Sequence, residues 1–230
     1  SWIMPICSYI AFPVPGKNPL ASLKGATEII SDEIAADSPR RKMVTILKSE
    51  LARLSSLLDR FLSFARPQEF TTIPLLINEI IVQVITLTES EANKTNVSIT
   101  YEQKKDQLRV NADKEKIMQV FLNIILNAIQ EMPEGGKLKI SYSKMERRKQ
   151  SYAQIIFEDT GSGIAEDIKE KIFNPFFSTK ESGTGLGLAI AARIVDQHQG
   201  LIEAFNNSEQ GACFRILLPT IPDTIATKQH

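Results

Sequence analysis

The sequence predicts an all-α helical hairpin, which would pair into a dimeric four-helix bundle, followed by an α+β sandwich domain. Two observations support this division. Up to residue 67, apolar residues recur in steps of three and four, the period of amphipathic helices. Beyond residue 72, strand-like and helical runs are mixed and two strands end the pattern, which is typical of an α+β domain. We divide the chain into an atypical N-terminal segment (1–16), the hairpin (17–67), the sandwich domain (73–220) and a tail (221–230).

The hairpin is predicted from two apolar stripes. The first helix carries one stripe, which consists of Leu20, Leu23, Thr27, Ile30 and Ile34. After a break at residues 36–39, the second helix carries a coiled-coil-like seam, which consists of Leu47, Leu51, Leu54, Leu58, Phe61 and Ala65. Pro67 then stops the helix, because proline disfavours helical backbone in the residue before it. Two helices cannot cover both stripes, so we expect two copies to pair; the alternative is a hairpin packed on the rest of its own chain.

The sandwich domain is predicted as a mixture of helices and strands. Its strongest helix spans 113–132, where Asp113 is placed to cap the first turn and an apolar face follows, consisting of Ile117, Val120, Phe121, Ile124, Ile125 and Ala128. The other predicted elements are a helix at 75–93, a strand at 97–101, β-rich runs at 137–144 and 153–158 around a charged turn at 145–150, a helix near 165–172, a helix at about 184–199, and two terminal strands.

Composition narrows the classes of function. The chain has 27 basic and 27 acidic residues and is 43% hydrophobic, which indicates neither disorder nor a broad basic surface for nucleic acid. Cys7 and Cys213 show no CxxC or Cys/His spacing, so a disulfide framework or zinc site is not predicted and a reducing compartment fits. The apolar start, residues 1–15, is shorter than a membrane span of about 20 residues and lacks a basic signal-peptide beginning. We expect a soluble, cytoplasmic fragment, with a membrane-bound parent protein left open.

Two asparagines on the strong helix are candidate ligands. Asn123 and Asn127 are four residues apart, which places both amides on one helical face at the edge of the apolar stripe. An amide oxygen that faces a cleft suits a hard cation such as Mg²⁺. The alternative is that the two side chains only cap or tie neighbouring loops, and by itself the pattern favours that alternative.

Glycine-rich stretches further along predict close approach of a ligand to the backbone. Asp159 ends a predicted strand and is followed by Gly161 and Gly163, which permit unusual backbone angles. GTGLGL at 183–188 leads into a helix, whose free N–H groups and dipole favour a phosphate. Lys180, at the end of FNPFFSTK, is close enough to add a charge-assisted contact to the same phosphate. Each stretch alone is a weak signal, since tight turns and flexible linkers share it.

The order of these stretches is far more specific. NxxxN, DxGxG, FxPFFxTK and GTGLGL, at these intervals, resemble the N, G1, F and G2 boxes of sensor histidine kinases of two-component systems. The resemblance is close over residues 113–219. It is looser over the hairpin, where KNPLASLKG resembles the H box and LSFARP resembles the end of the dimerization helix.

The resemblance implies that the second domain has the Bergerat fold of DNA gyrase and mismatch-repair ATPases and binds ATP with Mg²⁺. Asp159 would accept a hydrogen bond from the adenine amino group, and Asn127 would hold the Mg²⁺. Asn123 and Lys180 would take the catalytic roles in phosphoryl transfer, with Asn123 in the position of the catalytic glutamate of the hydrolytic relatives. An amide there cannot activate water as a base.

The resemblance also implies a lid and further nucleotide contacts. Residues 173–187 would form the mobile lid, in which Phe176 and Phe177 would pack as anchors. Lys180 and the backbone near the glycine run would line the phosphates. The remaining nucleotide-binding residues would be Gly161, Gly163, Ile164, Thr184, Gly185, Leu186, Gly187 and Leu188.

The chain departs from the family at the phosphate acceptor. In the family the accepting histidine lies four residues before the asparagine of the NPL triplet and an acidic residue follows it, whereas this chain has Val14 and Pro15 there. The two histidines of the chain lie elsewhere. His198 is near the end of a predicted helix, where a cation suits the dipole, so we expect a structural role; His230 is terminal.

Two explanations of this departure remain open. Residues 1–16 replace the original start of the hairpin, in which case Asn18 would cap the first helix and Pro19 would open it. Alternatively, the protein is a natural variant that binds ATP without phosphorylating itself. The abrupt start of the resemblance at Lys17 favours the first explanation.

The sequence therefore leaves two alternative functions. The first is ATP-dependent phosphorylation of a histidine and relay to the receiver domain of a response regulator, by a homodimer. The second is a non-catalytic dimeric module that binds nucleotide and a response regulator. An ATPase of the same fold is disfavoured, because position 123 carries Asn rather than Glu.

Overall fold

The computed structural model describes residues 19–35, 38–65, 70–102, 107–147, 149–180, 183–208 and 211–221, with the backbone alone for 56, 57 and 59–65. The chain divides into two compact units between Arg66 and Pro67. Seven residues named above lie outside the described residues: Cys7, Val14, Pro15, Lys17, Asn18, Pro67 and His230. Across the described ranges, no helix combines the length and the apolar character that a membrane crossing requires.

The first unit is a helical hairpin. Helix α1 spans Pro19–Glu33 and α2 spans Arg40–Ala65. Proline fits the first turn of α1, because its φ suits a helix and its missing N–H would have had no partner within the helix. Helix α2 ends two residues before Pro67, as predicted.

The hairpin leaves much of its apolar surface exposed. Among its described side chains, Thr27 and Val44 are buried. In the predicted seam, by contrast, Leu47 is 53% exposed and Leu54 is 50% exposed. Other large apolar side chains of the hairpin share this exposure: Leu23, Ile29, Ile30, Met43, Ile46 and Leu58. A single copy therefore presents the kind of surface that a second helical pair would cover.

The second unit is an α+β sandwich, as predicted. Its elements are β1 (Ile73–Leu76), α3 (Ile77–Lys94), β2 (Val97–Glu102), β3 (Arg109–Ala112), α4 (Lys114–Gln130), β4 (Gly136–Arg147), β5 (Gln150–Asp159), α5 (Gly187–Gln197), β6 (Leu201–Asn206) and β7 (Ala212–Pro219). The large sheet has the order β2-β4-β5-β7-β6; β2 pairs parallel to β4, and the other neighbours are antiparallel. Strands β1 and β3 pair antiparallel as a small second sheet.

The core lies between the large sheet and the helices. Strand β5 alternates between buried and half-buried residues, because successive side chains of a strand point to opposite faces. Phe157 in its buried row meets Phe121 of α4, with ring centroids 5.4 Å apart. Asp159 belongs to the same row as Phe157. The last residue of β5 therefore directs a carboxylate toward the helical layer rather than toward the outer face of the sheet.

Two short strands escape prediction. Strand β1 contains Pro74, which weakens the strand pattern because proline cannot donate to a ladder, and β3 has only four residues. The apolar pair at the end of β1, Leu75 and Leu76, is misread as the beginning of a helix. The helix predicted at 75–93 is α3, which begins two residues later at Ile77.

Three predicted boundaries in the second half need correction. The prediction of a charged turn over residues 145–150 is wrong, because β4 and β5 remain paired as far as Arg147 and Gln150. The helix near 165–172 is also wrong: this stretch forms turns, with Ile168 N donating to Ala165 O at 3.1 Å. It lies between glycine and Asn-Pro and is too short to offset the cost of helix nucleation. The helix expected at 184–199 is α5, which is shorter at both ends.

The N-terminus of α4 and the C-terminus of α5 are joined through one histidine. Asp113 caps α4 as predicted, accepting from Lys116 N at 3.2 Å. His198 is the C-cap residue of α5 and is 7% exposed. Its Nε2 accepts a hydrogen bond from Asp113 N at 2.9 Å, so its Nδ1 carries the proton and donates to Ile194 O at 2.7 Å. The structural role is confirmed, but the cationic reason for it is wrong, because burial lowers the pKa of His198 and the ring is neutral.

We expect His198→Ala to lower the free energy of unfolding by about 1–3 kcal/mol, because Asp113 N loses its acceptor. Urea denaturation at pH 7.5 measures this loss. From pH 7.5 to 5.5 the wild-type chain should also lose stability, since the unfolded histidine takes up a proton near pH 6.5 and the folded one only at lower pH. The variant should lack this component; equal losses in both proteins would contradict the assignment.

Candidate active site

Helix α4 provides the floor of the candidate site. Its apolar face, which includes Ile124, Ile125 and Ala128, is buried. The two predicted asparagines lie half-buried at the edge of that face. Asn123 Nδ2 donates to Gly187 O at 3.0 Å, which ties α4 to the first residue of α5. Asn127 Oδ1 accepts from Lys180 Nζ at 3.2 Å. Each asparagine therefore contacts one of the two later stretches.

The side chain of Lys180 packs against the C-terminal end of α4. Besides Asn127, its ammonium contacts Gln130 Oε1 at 3.1 Å and Glu131 Oε1 at 2.8 Å. Neither Gln130 nor Glu131 is predicted as a site residue from the sequence. A signal existed, because positions three and four after Asn127 share its helical face. Within the described residues, the Lys180 ammonium makes its contacts with α4 and its C-cap residue rather than with the glycine run.

Asp159 is a buried carboxylate with an ordered environment. It is 3% exposed, and Oδ1 accepts from Gly161 N at 2.9 Å and from Ala212 N at 3.0 Å. Burial raises the pKa of Asp159, an effect that the two backbone hydrogen bonds oppose. Among the described residues both donors use Oδ1, which leaves Oδ2 as the acceptor that an incoming ligand can meet.

The turn between β6 and β7 fixes the backbone of Asp159. Asn207 Nδ2 donates to Asp159 O at 2.8 Å, and Asn207 Oδ1 accepts from Gly211 N at 2.9 Å. A Cβ at position 211 would lie 1.9 Å from Asp159 O, so glycine is required for this close approach. Neither residue is predicted from the sequence, because their role depends on the pairing of β5 with β7.

The loop after Asp159 is held from two sides. Gly163 has a φ of 74°, the left-handed region that favours glycine. Ile164 is buried, and its backbone N–H and C=O both bond to the side chain of Asn206, at 2.7 and 2.8 Å. A Cβ at Gly161 would lie 3.2 Å from Glu131 Cβ. The loop therefore passes close to the end of α4.

The glycine run forms the start of α5. Gly185 has a φ of 64°, and its carbonyl accepts from Phe176 N at 3.0 Å. Leu186 is fully buried and precedes the helix without a side-chain cap. Thr184, Gly187 and Leu188 are half-buried around it. Leu186 N donates to Thr184 Oγ1 at 3.4 Å, and within the described ranges no side chain accepts from the first N–H groups of α5 itself. Those groups provide the positive end of a helix dipole.

The predicted packing of the phenylalanines is only partly seen. Phe177 is half-buried, but the side chain of Phe176 is 62% exposed. The backbone N–H of Phe176 attaches this segment to Gly185. Phe176 has a φ of 65°, which is costly for a bulky residue and marks a constrained turn.

These contacts bring the four stretches to one place. Asn123 touches the beginning of α5, Asn127 touches Lys180, and Glu131 links Lys180 to Ser162 of the DxGxG loop, with Ser162 Oγ donating to Glu131 Oε2 at 3.4 Å. The result combines a buried acceptor, an ammonium group, amide oxygens and the N-terminus of α5, whose N-cap residue Leu186 makes no side-chain cap hydrogen bond. That set can bind a polar heterocycle at one end and a polyanion at the other.

Two family profiles match the chain. HisKA, the His Kinase A (phospho-acceptor) domain, matches residues 17–70. HATPase_c, the Histidine kinase-, DNA gyrase B-, and HSP90-like ATPase family, matches residues 112–222. The second match contains all four stretches of the site.

Individual proteins show the same similarity. The chain is 36% identical over 209 residues to Sporulation kinase C of Bacillus subtilis (strain 168), across 90% of this chain and 47% of that protein. The chain thus spans less than half the length of that relative. A nucleotide-free catalytic domain of histidine kinase ThkA is 39% identical, with a TM-score of 0.59 over 67% of this chain and 100% of that one. ThkA in complex with response regulator protein TrrA is 29% identical, with a TM-score of 0.68 over 89% of this chain and 59% of that one.

Proposed function

The chain belongs to the histidine kinases of two-component systems, and we propose that it transfers the γ-phosphoryl group of ATP to a histidine on another hairpin. The phosphorylated histidine would then pass the phosphoryl group to a response regulator. The observation that carries this proposal is the convergence on α4. Asn123 of α4 contacts α5, Asn127 of α4 contacts Lys180, and Glu131, the C-cap residue of α4, contacts the DxGxG loop. Phosphoryl transfer depends chiefly on positioning and charge neutralisation, and this arrangement supplies both.

Asp159 would recognise the adenine ring. Its Oδ1 is occupied by two backbone N–H groups, so the adenine amino group would donate to Oδ2. Gly161, Gly163 and Ile164 would form the wall beside the base, where the absence of large side chains lets the ring approach the backbone.

The triphosphate would lie at the beginning of α5. The N–H groups at the glycine run, from Thr184 through Gly185, Leu186 and Gly187 to Leu188, would face the phosphate oxygens together with the helix dipole. Leu186 N, which donates to Thr184 Oγ1 at 3.4 Å, would exchange that acceptor for a phosphate oxygen. Lys180 would add its charge from the α4 side. Residues 173–187 would act as the lid; residues 181–182 of this segment lie outside the described residues.

Asn127 would hold Mg²⁺. Within the described ranges, no cluster of three or more His, Cys, Asp or Glu side chains could hold a metal ion. A nucleotide site needs no such cluster, since Mg²⁺ takes most of its oxygens from phosphates and water. Asn127 Oδ1 already faces a cation, the Lys180 ammonium, so the donor is suited to the role. Bound there, Mg²⁺ would neutralise charge on the phosphates, while Asn123 would position the start of α5.

The acceptor histidine would come from outside the described residues of this chain. His198 is buried and both of its ring nitrogens are engaged, so it cannot attack a phosphate. The HisKA match begins at residue 17 and does not include Val14, where the resemblance expects the acceptor. The exposed seam on α2 supports pairing with a second hairpin, which would bring an acceptor within reach.

A mixed-dimer experiment tests this function. The acceptor chain would carry Val14→His and Pro15→Glu, to supply the histidine, and Asp159→Asn, to disable its own ATP site. We expect γ-labelled phosphate to appear on this chain only when the wild-type chain is added as ATP donor. A control chain with Asp159→Asn alone should stay unlabelled. ATP binding by the wild-type chain without any transfer would contradict the proposal.

A non-catalytic module is the alternative, and one observation favours it. Among the described residues, His198 is the single histidine and it is inaccessible. If Val14→His with Pro15→Glu, in an otherwise unaltered chain, restores self-phosphorylation, the catalytic apparatus is intact and the alternative holds only for the unaltered chain. If the substituted chain binds ATP but never becomes labelled, the alternative replaces the kinase proposal.

A further inference from the structure

Glu131 is a site residue that none of the four motifs includes. It is the C-cap residue of α4, directly after Gln130. Its two carboxylate oxygens point to different partners: Oε1 meets Lys180 Nζ at 2.8 Å, and Oε2 accepts from Ser162 Oγ at 3.4 Å. Its side chain is 32% exposed and that of Lys180 is 27% exposed. One carboxylate therefore connects the lysine of the third stretch to the loop of the second.

The ammonium of Lys180 is fully used by α4. It has three N–H donors, and three oxygens surround it, from Asn127, Gln130 and Glu131 at 3.2, 3.1 and 2.8 Å. A phosphate oxygen can bond to this ammonium only if one of those partners is released. Departure of the ammonium from α4 as a whole would also free Asn127 Oδ1, the oxygen proposed for Mg²⁺. The lysine and the cation site are thus engaged with each other before nucleotide arrives.

We propose that Glu131 is a latch, a positioning residue that holds Lys180 against α4 until a triphosphate takes the place of Glu131 as the partner of the ammonium. This inference rests on the proposed function, since it assumes that ATP occupies the site. The latched arrangement must open before Lys180 meets phosphate, and the apparent affinity for ATP is reduced by the fraction of molecules in the open state. Ligands without a phosphate at that position need no opening and are unaffected.

The size of the effect follows from the exposure of the pair. Partly exposed ion pairs contribute modestly to stability, so breaking this one changes the open fraction by a small factor. We expect Glu131→Gln, which keeps an oxygen acceptor but removes the charge, to tighten ATP binding roughly two- to five-fold. Removal of a negative charge beside a polyanion would also tighten binding without any latch, and the experiment has to separate these causes.

A double-mutant cycle separates them. ATP and adenosine are titrated calorimetrically, with Mg²⁺, into the wild-type chain, Glu131→Gln, Lys180→Met and the double variant. The latch predicts tighter ATP binding in Glu131→Gln, unchanged adenosine binding, and no further effect of Glu131→Gln once Lys180 is methionine. Glu134→Gln is the matched control, since it removes one exposed charge three residues further along and should leave both affinities unchanged.

Three outcomes would overturn the latch. ATP affinity in Glu131→Gln could equal that of the wild-type chain, the tightening could persist in the Lys180→Met background, or adenosine binding could tighten equally. In each of these cases the wild-type chain still binds ATP, so the proposed function survives. Absence of ATP binding to the wild-type chain would instead remove the proposed function, and the latch with it.

Discussion

Asp159→Asn is expected to weaken ATP binding at least about 100-fold, or about 2.7 kcal/mol, while leaving the fold intact. In the variant the amide oxygen should keep the backbone N–H groups of Gly161 and Ala212, which both bond to Oδ1 in the wild-type chain. The amide NH₂ then replaces Oδ2. The adenine amino group, itself a donor, would meet a donor and lose its partner.

The stability of this variant should not be lower than that of the wild-type chain. Burial raises the folded pKa of Asp159 above its ordinary value of 3.8. At a pH between 3.8 and the raised pKa of the folded state, Asp159 keeps its proton in the folded state but has released it in the unfolded state. The stability of the wild-type chain therefore falls as the pH rises from 3.8 through the folded pKa. The asparagine does not titrate, and this component should be absent from the variant.

Calorimetric titration with Mg·ATP and urea denaturation at pH 7.5 check both parts. Asp196→Asn is a suitable control, because it makes the same chemical change at an exposed position of α5. A variant with wild-type ATP affinity would show that Asp159 does not read the base. If the variant unfolds at a much lower urea concentration than the wild-type chain, the carboxylate of Asp159 is needed for the fold.

Gly185→Ala is the second substitution with a large expected effect. Its φ of 64° is strained for any residue with a Cβ. An added Cβ would also lie 2.4 Å from Phe176 C and 2.6 Å from Phe177 O, and backbone atoms cannot rotate away as a flexible side chain can. The segment around Phe176 must therefore separate from the glycine run, and we expect ATP affinity to fall at least roughly ten-fold, since misplaced binding groups are costly.

Gly25→Ala provides the comparison for this second variant. A Cβ there meets nothing within 4 Å, and the position lies inside α1, so the change should leave ATP binding unaltered. Affinities from calorimetry, with circular dichroism to verify that both variants remain folded, measure the difference. Equal affinities in the two variants would show that the contact between Phe176 and Gly185 is irrelevant to the nucleotide.

The parts of the fold that follow from the sequence are those with long, regular signals. Helix α4 combines an Asp113 cap with an uninterrupted apolar face, and both appear in the structure. Strand β1 carries a proline and β3 is four residues long, so their pairing comes from tertiary contact rather than local preference. The long β4–β5 hairpin illustrates the same limit, because charged residues at its end mimic a turn.

The site divides along similar lines. Motif order predicts Asn123, Asn127, Asp159 and Lys180 as site residues, since each belongs to a stretch with a recognisable pattern. Glu131, Asn206, Asn207 and Gly211 are ordinary residues in sequence and acquire roles only from neighbours distant in the chain. The charge state of His198 is missed for the same reason, because its burial depends on how α5 meets the start of α4.

The convergence of four stretches on one nucleotide is tested most directly by NMR titration of the ¹⁵N-labelled chain with Mg·ATP. We expect the backbone amides of Gly161, Gly163, Lys180, Gly185 and Gly187 and the side-chain amide of Asn127 to shift together in one saturable event with a single dissociation constant. Unperturbed signals at these positions, or stretches that respond with separate constants, would show that they do not share a ligand.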